Sequence, residues 1–277
     1  MLRLIALALV PLALAAGNAA AGGGGPSPGV VIGWDGTLDP AGAVRYVALP
    51  ASGATAVAAI RRTDGRVLRY LTVRGSYGIP QVAFDGTTEG VSPDGKTLVL
   101  ATYAGAAAET SFAVLGTTPL RLRKTVTLPG NWSFDALSPD GTTLYAIEYL
   151  GTGQNTPYNV RAVSLVTGRP LGGPIVDKRN PDEEMNGSPV ARATQKDGGW
   201  AYTLYARPGG TAFVRALSLR GRNARCVDLP WRGTERTIQQ VRLGLSADGR
   251  SLYLRRAGTR LAAVDTRTFA VSAFARP

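Results

Sequence analysis

Residues 137–149 read L-S-P-D-G-T-T-L-Y-A-I-E-Y, a tight turn that launches a strand. Pro139 presets the turn, Asp140 offers a side chain to nearby backbone amides, and Gly141 accepts a positive φ at little cost. Beyond the turn, Leu144 and Ala146 fill one parity of the strand, Tyr145 and Ile147 the other. A strand apolar on both faces is packed on both sides.

The stretch recurs as V-S-P-D-G-K-T-L-V-L-A-T-Y (residues 91–103) and L-S-A-D-G-R-S-L-Y-L-R-R-A (residues 245–257). Weaker copies are L-D-P-A-G-A-V-R-Y-V-A-L (38–49) and T-Q-K-D-G-G-W-A-Y-T-L-Y (194–205). Behind each copy follow a strand, a polar turn and another strand: 55–62 and 67–73, 111–115 and 120–128, 160–166 and 171–176, 212–219 and 224–229, 261–264 and 269–274. Each unit is therefore four short strands over about 50 residues, with no convincing helix. Four-stranded units packed on both faces and repeated radially predict an all-β fold, a β-propeller. Five blades account for the chain, the first inner strand being 30–37; six would require displacing the N-terminal segment to close the ring. A β-sandwich would explain the alternation but not the four-strand period.

The S-P-D-G turn followed by L-Y-A-I-E or L-V-L-A-T, then by V-S-L-V-T-G-R-P or V-A-A-I-R-R-T-D-G-R-V, resembles the repeat of bacterial YVTN-type and TolB-type propellers. The likeness covers most of residues 30–277 and departs from the pattern in the first turn, D-P-A-G, and the fourth, Q-K-D-G. It implies the fold and a binding or scaffold role, without an activity, since propellers host many functions.

Residues 1–21 place Arg3 before an apolar run, and small residues then offer cleavage after Ala19 or Ala21, the layout of a signal peptide. The run is too short to span a bilayer, no second run of spanning length follows, and no Cys near the cleavage region supports a lipid anchor. Residues 22–29 form a Gly/Pro-rich leader and 30–277 a propeller domain. The expectation is an exported chain, extracellular or periplasmic, soluble after signal-peptide removal and monomeric.

The single cysteine, Cys226, excludes a disulfide framework within the monomer. The chain contains no histidine, which removes Ser-His-Asp and Cys-His nucleophiles, His metal sites and the usual general base. Net charge is +12, but residues 201–277 alone hold 14 Arg against four acids, Asp228, Glu235, Asp248 and Asp265. A basic end favours an anionic cell-wall polymer; a solvated face is the plain alternative, and export leaves little access to nucleic acid.

In a propeller the loops leading into each inner strand lie opposite the S-P-D-G turns. Those loops carry Tyr77, Trp132 and Trp231, with Trp34 in the first unit. Aromatics around an opening suit stacking on sugars or planar ligands; wedging between blades is the competing reading. Asp35, Asp85 and Asp135 lie 50 residues apart, whereas alignment on the turns pairs Glu89 with Asp135 and sets Gly36 opposite them. Carboxylates near a channel mouth favour a cation such as Ca²⁺ or raised pKa values, although they serve equally to bond backbone amides. The acidic loop with Asp177, Asp182, Glu183 and Glu184 lacks the alternating spacing of a calcium loop.

The sequence thus points to a non-catalytic binding propeller without a required cofactor. Its ligand, a glycan, an anionic cell-wall polymer or a protein, would meet Tyr77, Trp132, Asp135 and Trp231, with Arg232 and Arg236 for anionic groups. The alternative is a glycan hydrolase in which two of Asp35, Glu89 and Asp135 serve as acid and as nucleophile or base.

Overall fold

A computed structural model describes residues 28–103, 108–151, 156–182 and 185–277. The expected signal peptide, most of the leader, Glu183, Glu184 and part of the 150–158 loop lie outside the described residues.

Five consecutive antiparallel units fill these residues. After β1 (Val30–Val31), the first unit comprises β2 (Gly33–Leu38), β3 (Val44–Ala51), β4 (Ala54–Arg61) and β5 (Val67–Arg74). The second follows β6 (Ile79–Pro80) with β7 (Thr97–Ala101), β8 (Glu109–Thr117) and β9 (Leu120–Pro129). The third holds β10 (Trp132–Leu137), β11 (Thr143–Tyr149) and β12 (Tyr158–Ser164). The fourth is β13 (Ser188–Thr194), β14 (Trp200–Ala206), β15 (Thr211–Ser218) and β16 (Asn223–Arg232). After α1 (Glu235–Gln239), the fifth is β17 (Arg242–Leu245), β18 (Ser251–Arg256), β19 (Thr259–Asp265) and β20 (Val271–Ala273). The protein is an all-β propeller, and its units are in keeping with five blades.

Three local expectations require correction. The inner segment of the second blade is not a continuous strand but β6 with isolated bridges at Gln81–Thr88 and Val91–Leu98. The outer strand expected over 171–176 makes only scattered bonds to β12, from Leu171 N to Ala162 O and from Ile175 N to Val160 O. The loop after Trp231 contains the short helix α1, because Thr234 caps it by accepting from the Thr237 amide and Glu235 sits in its first turn.

Both parities of β7 and β11 are buried as the pattern required. Leu98 and Leu100 pack toward the first blade, Val99 and Ala101 toward the third. Leu144 and Ala146 join the second blade, Tyr145 and Ile147 the fourth. Each fully buried Leu side chain contributes about 1.5–3 kcal/mol relative to exposure. Apolar cores of this kind fill the seams between blades one and two, two and three, three and four, and four and five. Among the described residues no such core joins the fifth blade to the first, whose Val47, Ala58 and Ile60 form a small cluster of their own.

The turns repeat one hydrogen-bond pattern. Ser138 donates to Asp140 at 2.6 Å, Asp140 accepts from the Thr142 amide, and the Thr143 amide donates to Ser138 Oγ. Ser92 with Asp94 and Ser246 with Asp248 do the same. The serine hydroxyl is therefore the member that fastens the turn to the strand. It also holds the Asp140 and Asp248 carboxyls below their ordinary range, helped by the backbone amides.

Candidate functional site

The aromatic rim expected on the lead-in loops does not form. Tyr77, Trp132 and Trp231 are 7, 3 and 5% exposed and belong to the cores of three of the seams, one/two, two/three and four/five. The reason is a structural joint that repeats with the blade. Thr55 Oγ1 accepts the Tyr77 amide and donates to Gly75 O, while Thr110 Oγ1 accepts the Trp132 amide and donates to Gly130 O. Recurrence of the aromatic thus reflects a wedge at three of the seams, and of the four lead-in aromatics Trp34, 64% exposed, presents its ring to solvent.

The inner-strand acids also part company. Asp35 is exposed on β2, beside a cavity of about 730 Å³ that Arg45 and Gln81 also line. Asp85 accepts from the amide and hydroxyl of Thr87. Glu89 and Asp135 come together as the turn alignment required, but through a residue that sequence reasoning missed. Arg192, buried on β13, donates to Glu89 at 3.0 Å, to Asp135 at 2.8 Å and to Thr203 at 2.6 Å. Arg215, buried on β15, approaches Asp135 at 3.5 Å and donates to the Ile175 carbonyl. The signal was in the register: Glu89, Asp135 and Arg192 each lie six residues before a turn glycine, Gly95, Gly141 and Gly198.

Two carboxylates and two guanidinium groups therefore neutralise one another at the centre. Burial opposes the Arg192 charge, but Glu89 and Asp135 more than offset it and push the guanidinium pKa up. A carboxylate held between arginines is a poor site for Ca²⁺, and each Asp135 oxygen faces a guanidinium group. Burial pushes the neighbouring Tyr205 hydroxyl up to about 12 and the Tyr158 hydroxyl well above its usual value. Both are neutral near pH 7, which excludes them as general bases.

In the acidic loop, Asp177 is buried and serves as an anchor. Burial alone would raise its pKa, yet Arg179 at 2.6 Å and the amides of Arg179 and Cys226 hold it well below the usual carboxylate range. Among the described residues no group of three or more His, Cys, Asp or Glu is placed to hold a metal ion. No described helix is long and apolar enough to cross a membrane.

Two of the expected binding residues do meet. Trp231 and Arg232 line a cavity of about 460 Å³ at the end of β16, together with Thr211, Leu229, Pro230 and Arg276. The Trp231 indole N–H is buried and has no acceptor among the described residues. Arg232 and Arg276 are exposed and have no carboxylate partner among the described residues. Arg236 lies exposed on α1, outside the lining of this cavity.

Neither a protein-family profile nor a curated protein matches the chain by sequence. Solved structures match by shape. The propeller domain of Cps50 (Swd1) from Myceliophteria thermophila aligns with 90% of this chain and 73% of its own, at 12% identity and a TM-score of 0.50. The dihydro-heme d1 dehydrogenase NirN, in complex with DHE, aligns over 86% of this chain at 12% identity and a TM-score of 0.50, and this chain spans 45% of that protein. TolB from Acinetobacter baumannii aligns over 89% of this chain and 52% of its own, at 15% identity and a TM-score of 0.40. Likeness at such identity shows the fold and carries nothing about ligands.

Proposed function

We propose that this chain is an exported, non-catalytic propeller that captures an anionic ligand or partner on its lead-in-loop side, at the Trp231 cavity. The observation that carries the reading is the union, on one cavity, of a buried indole donor and two exposed arginines that have no acceptor or carboxylate partner among the described residues. An unmet buried donor costs roughly 1–3 kcal/mol, so a ligand oxygen that accepts from it recovers a real deficit. Arg232 and Arg276 then select for charge, since guanidinium groups match carboxylate and phosphate geometry. Asp135, one of the acids a hydrolytic pair would draw on, is instead held by Arg192 and Arg215.

A panel of neutral, carboxylated and phosphorylated oligosaccharides, measured by calorimetry, tests the reading. Anionic members should bind, and Arg232→Ala with Arg276→Ala should weaken them at least about tenfold, the loss of roughly 1.4 kcal/mol or more. Both arginines are exposed, so the melting temperature should not change. Equal binding of neutral sugars, or unchanged affinity in the double variant, would refute it. Export is tested separately by sequencing the N-terminus of the secreted chain, expected after Ala19 or Ala21.

A further inference from the structure

The fifth blade turns its cationic face away from the core. Leu243, Leu245, Leu252 and Leu254 pack toward the fourth blade, so alternation sends Arg242, Tyr253 and Arg255 to the opposite face. There Arg242 pairs in register with Arg255, and Arg255 with Arg260. All three are exposed. Among the described residues no apolar core cluster covers this face.

Like charges directly opposite on neighbouring strands are destabilising, and neither acid of this blade pairs with them. Asp248 and Asp265 are committed to their own turns, Asp248 to Ser246 and the Arg250 amide, Asp265 to the amides of Arg267 and Thr268. No carboxylate lies in salt-bridge range of Arg242, Arg255 or Arg260 among the described residues. Arg242 donates to the Gln239 and Val241 carbonyls, while Arg260 lies 4.1 Å over Tyr253 and 5.8 Å from Phe274, and Arg255 lies 5.2 Å from Tyr253.

We propose that this row docks a linear phosphodiester polymer without bases, of the poly(glycerol phosphate) kind. Neighbouring strands lie about 5 Å apart, so the three arginine positions span about 10 Å across the sheet. Arginine forks suit phosphate oxygens. The three arginines are exposed, where a single contact contributes little, so recognition requires a ligand that repeats its charge along a chain. Single-stranded nucleic acid is disfavoured because base stacking requires open aromatic faces, and here the rings beside the row already carry Arg260.

The test is calorimetry of the purified chain with poly(glycerol phosphate) fragments over a range of salt concentrations. Wild type should bind, with affinity falling as salt rises. Arg242→Gln/Arg255→Gln/Arg260→Gln should weaken binding at least about tenfold and make the log K against log salt slope shallower by about two, at roughly 0.7 per lost phosphate contact. The single variant Arg255→Gln, at an exposed position, should lose part of both even if the triple variant folds poorly. Single-stranded DNA and polyglutamate of equal length should bind at least about tenfold more weakly than the phosphodiester polymer. Absence of wild-type binding, an unchanged salt slope in the variants, or equal binding of DNA or polyglutamate would overturn the proposal. So would loss of polymer binding in Arg232→Ala/Arg276→Ala with the row intact, which would move the site to the Trp231 cavity.

Discussion

Gly141 has a φ of +64°, and a Cβ there would meet Thr97 Oγ1 at 2.5 Å and Thr97 Cβ at 2.8 Å in the neighbouring blade. Positive φ was legible from the turn sequence; the blade-to-blade contact was not, because Thr97 is far away in the chain. Turn glycines meet the preceding turns elsewhere too: Gly95 faces Pro40, and Gly198 faces Pro93 and Pro139. Gly141→Val should therefore cost about 1–3 kcal/mol from backbone strain alone, with the contact adding to it, as measured by urea unfolding. Ligand affinity at the Trp231 cavity should not change, since the turns occupy the opposite side. A neutral effect on stability would show that the turn relaxes freely.

At the scale of the strand, β13 carries the residue that ties the centre together. Arg192 sits where its register places it among inner strands, level with Glu89 and Asp135. Removing one partner of a buried charge set leaves the others uncompensated, typically 3–5 kcal/mol. Arg192→Met should therefore destabilise the protein strongly in urea, and adding Glu89→Gln and Asp135→Asn should recover part of the loss by removing the stranded charges. If the triple variant were no more stable than Arg192→Met, the cost would lie in packing rather than charge. The sequence supplied the two acids through turn alignment, but an arginine in S-P-V-A-R-A-T looked like one of many basic residues. Charge pairing across blades is a property of closure, not of a strand.

For the molecule as a whole, four seams hold apolar cores, and Gly42 in the first turn meets only Arg62 of its own blade. The fifth-to-first seam has no comparable core among the described residues. Local stability follows buried contact density, so amides of β2, β18 and β19 should exchange faster than those of β11 and β14, which are covered on both sides. Hydrogen exchange measured by fragment checks this, and uniform protection across all five blades would contradict it. Poly(glycerol phosphate), if it docks on the fifth blade, should slow exchange in β18 and β19 before any other strand.

The strands, their double-sided burial, the turn chemistry and the propeller itself were determined by the sequence, because alternation and turn residues act over a few positions and repeat with the blade. Tertiary structure decided what those positions do. It turned three recurrent aromatics into seam wedges, paired two candidate acids with Arg192 and Arg215, gathered Trp231, Arg232 and Arg276 around one cavity, and left a row of arginines on an uncovered face. The physical reason is range. Turn and strand preferences are set by neighbours in sequence, whereas burial, charge compensation and the conversion of an aromatic into a wedge depend on the blade that arrives beside it.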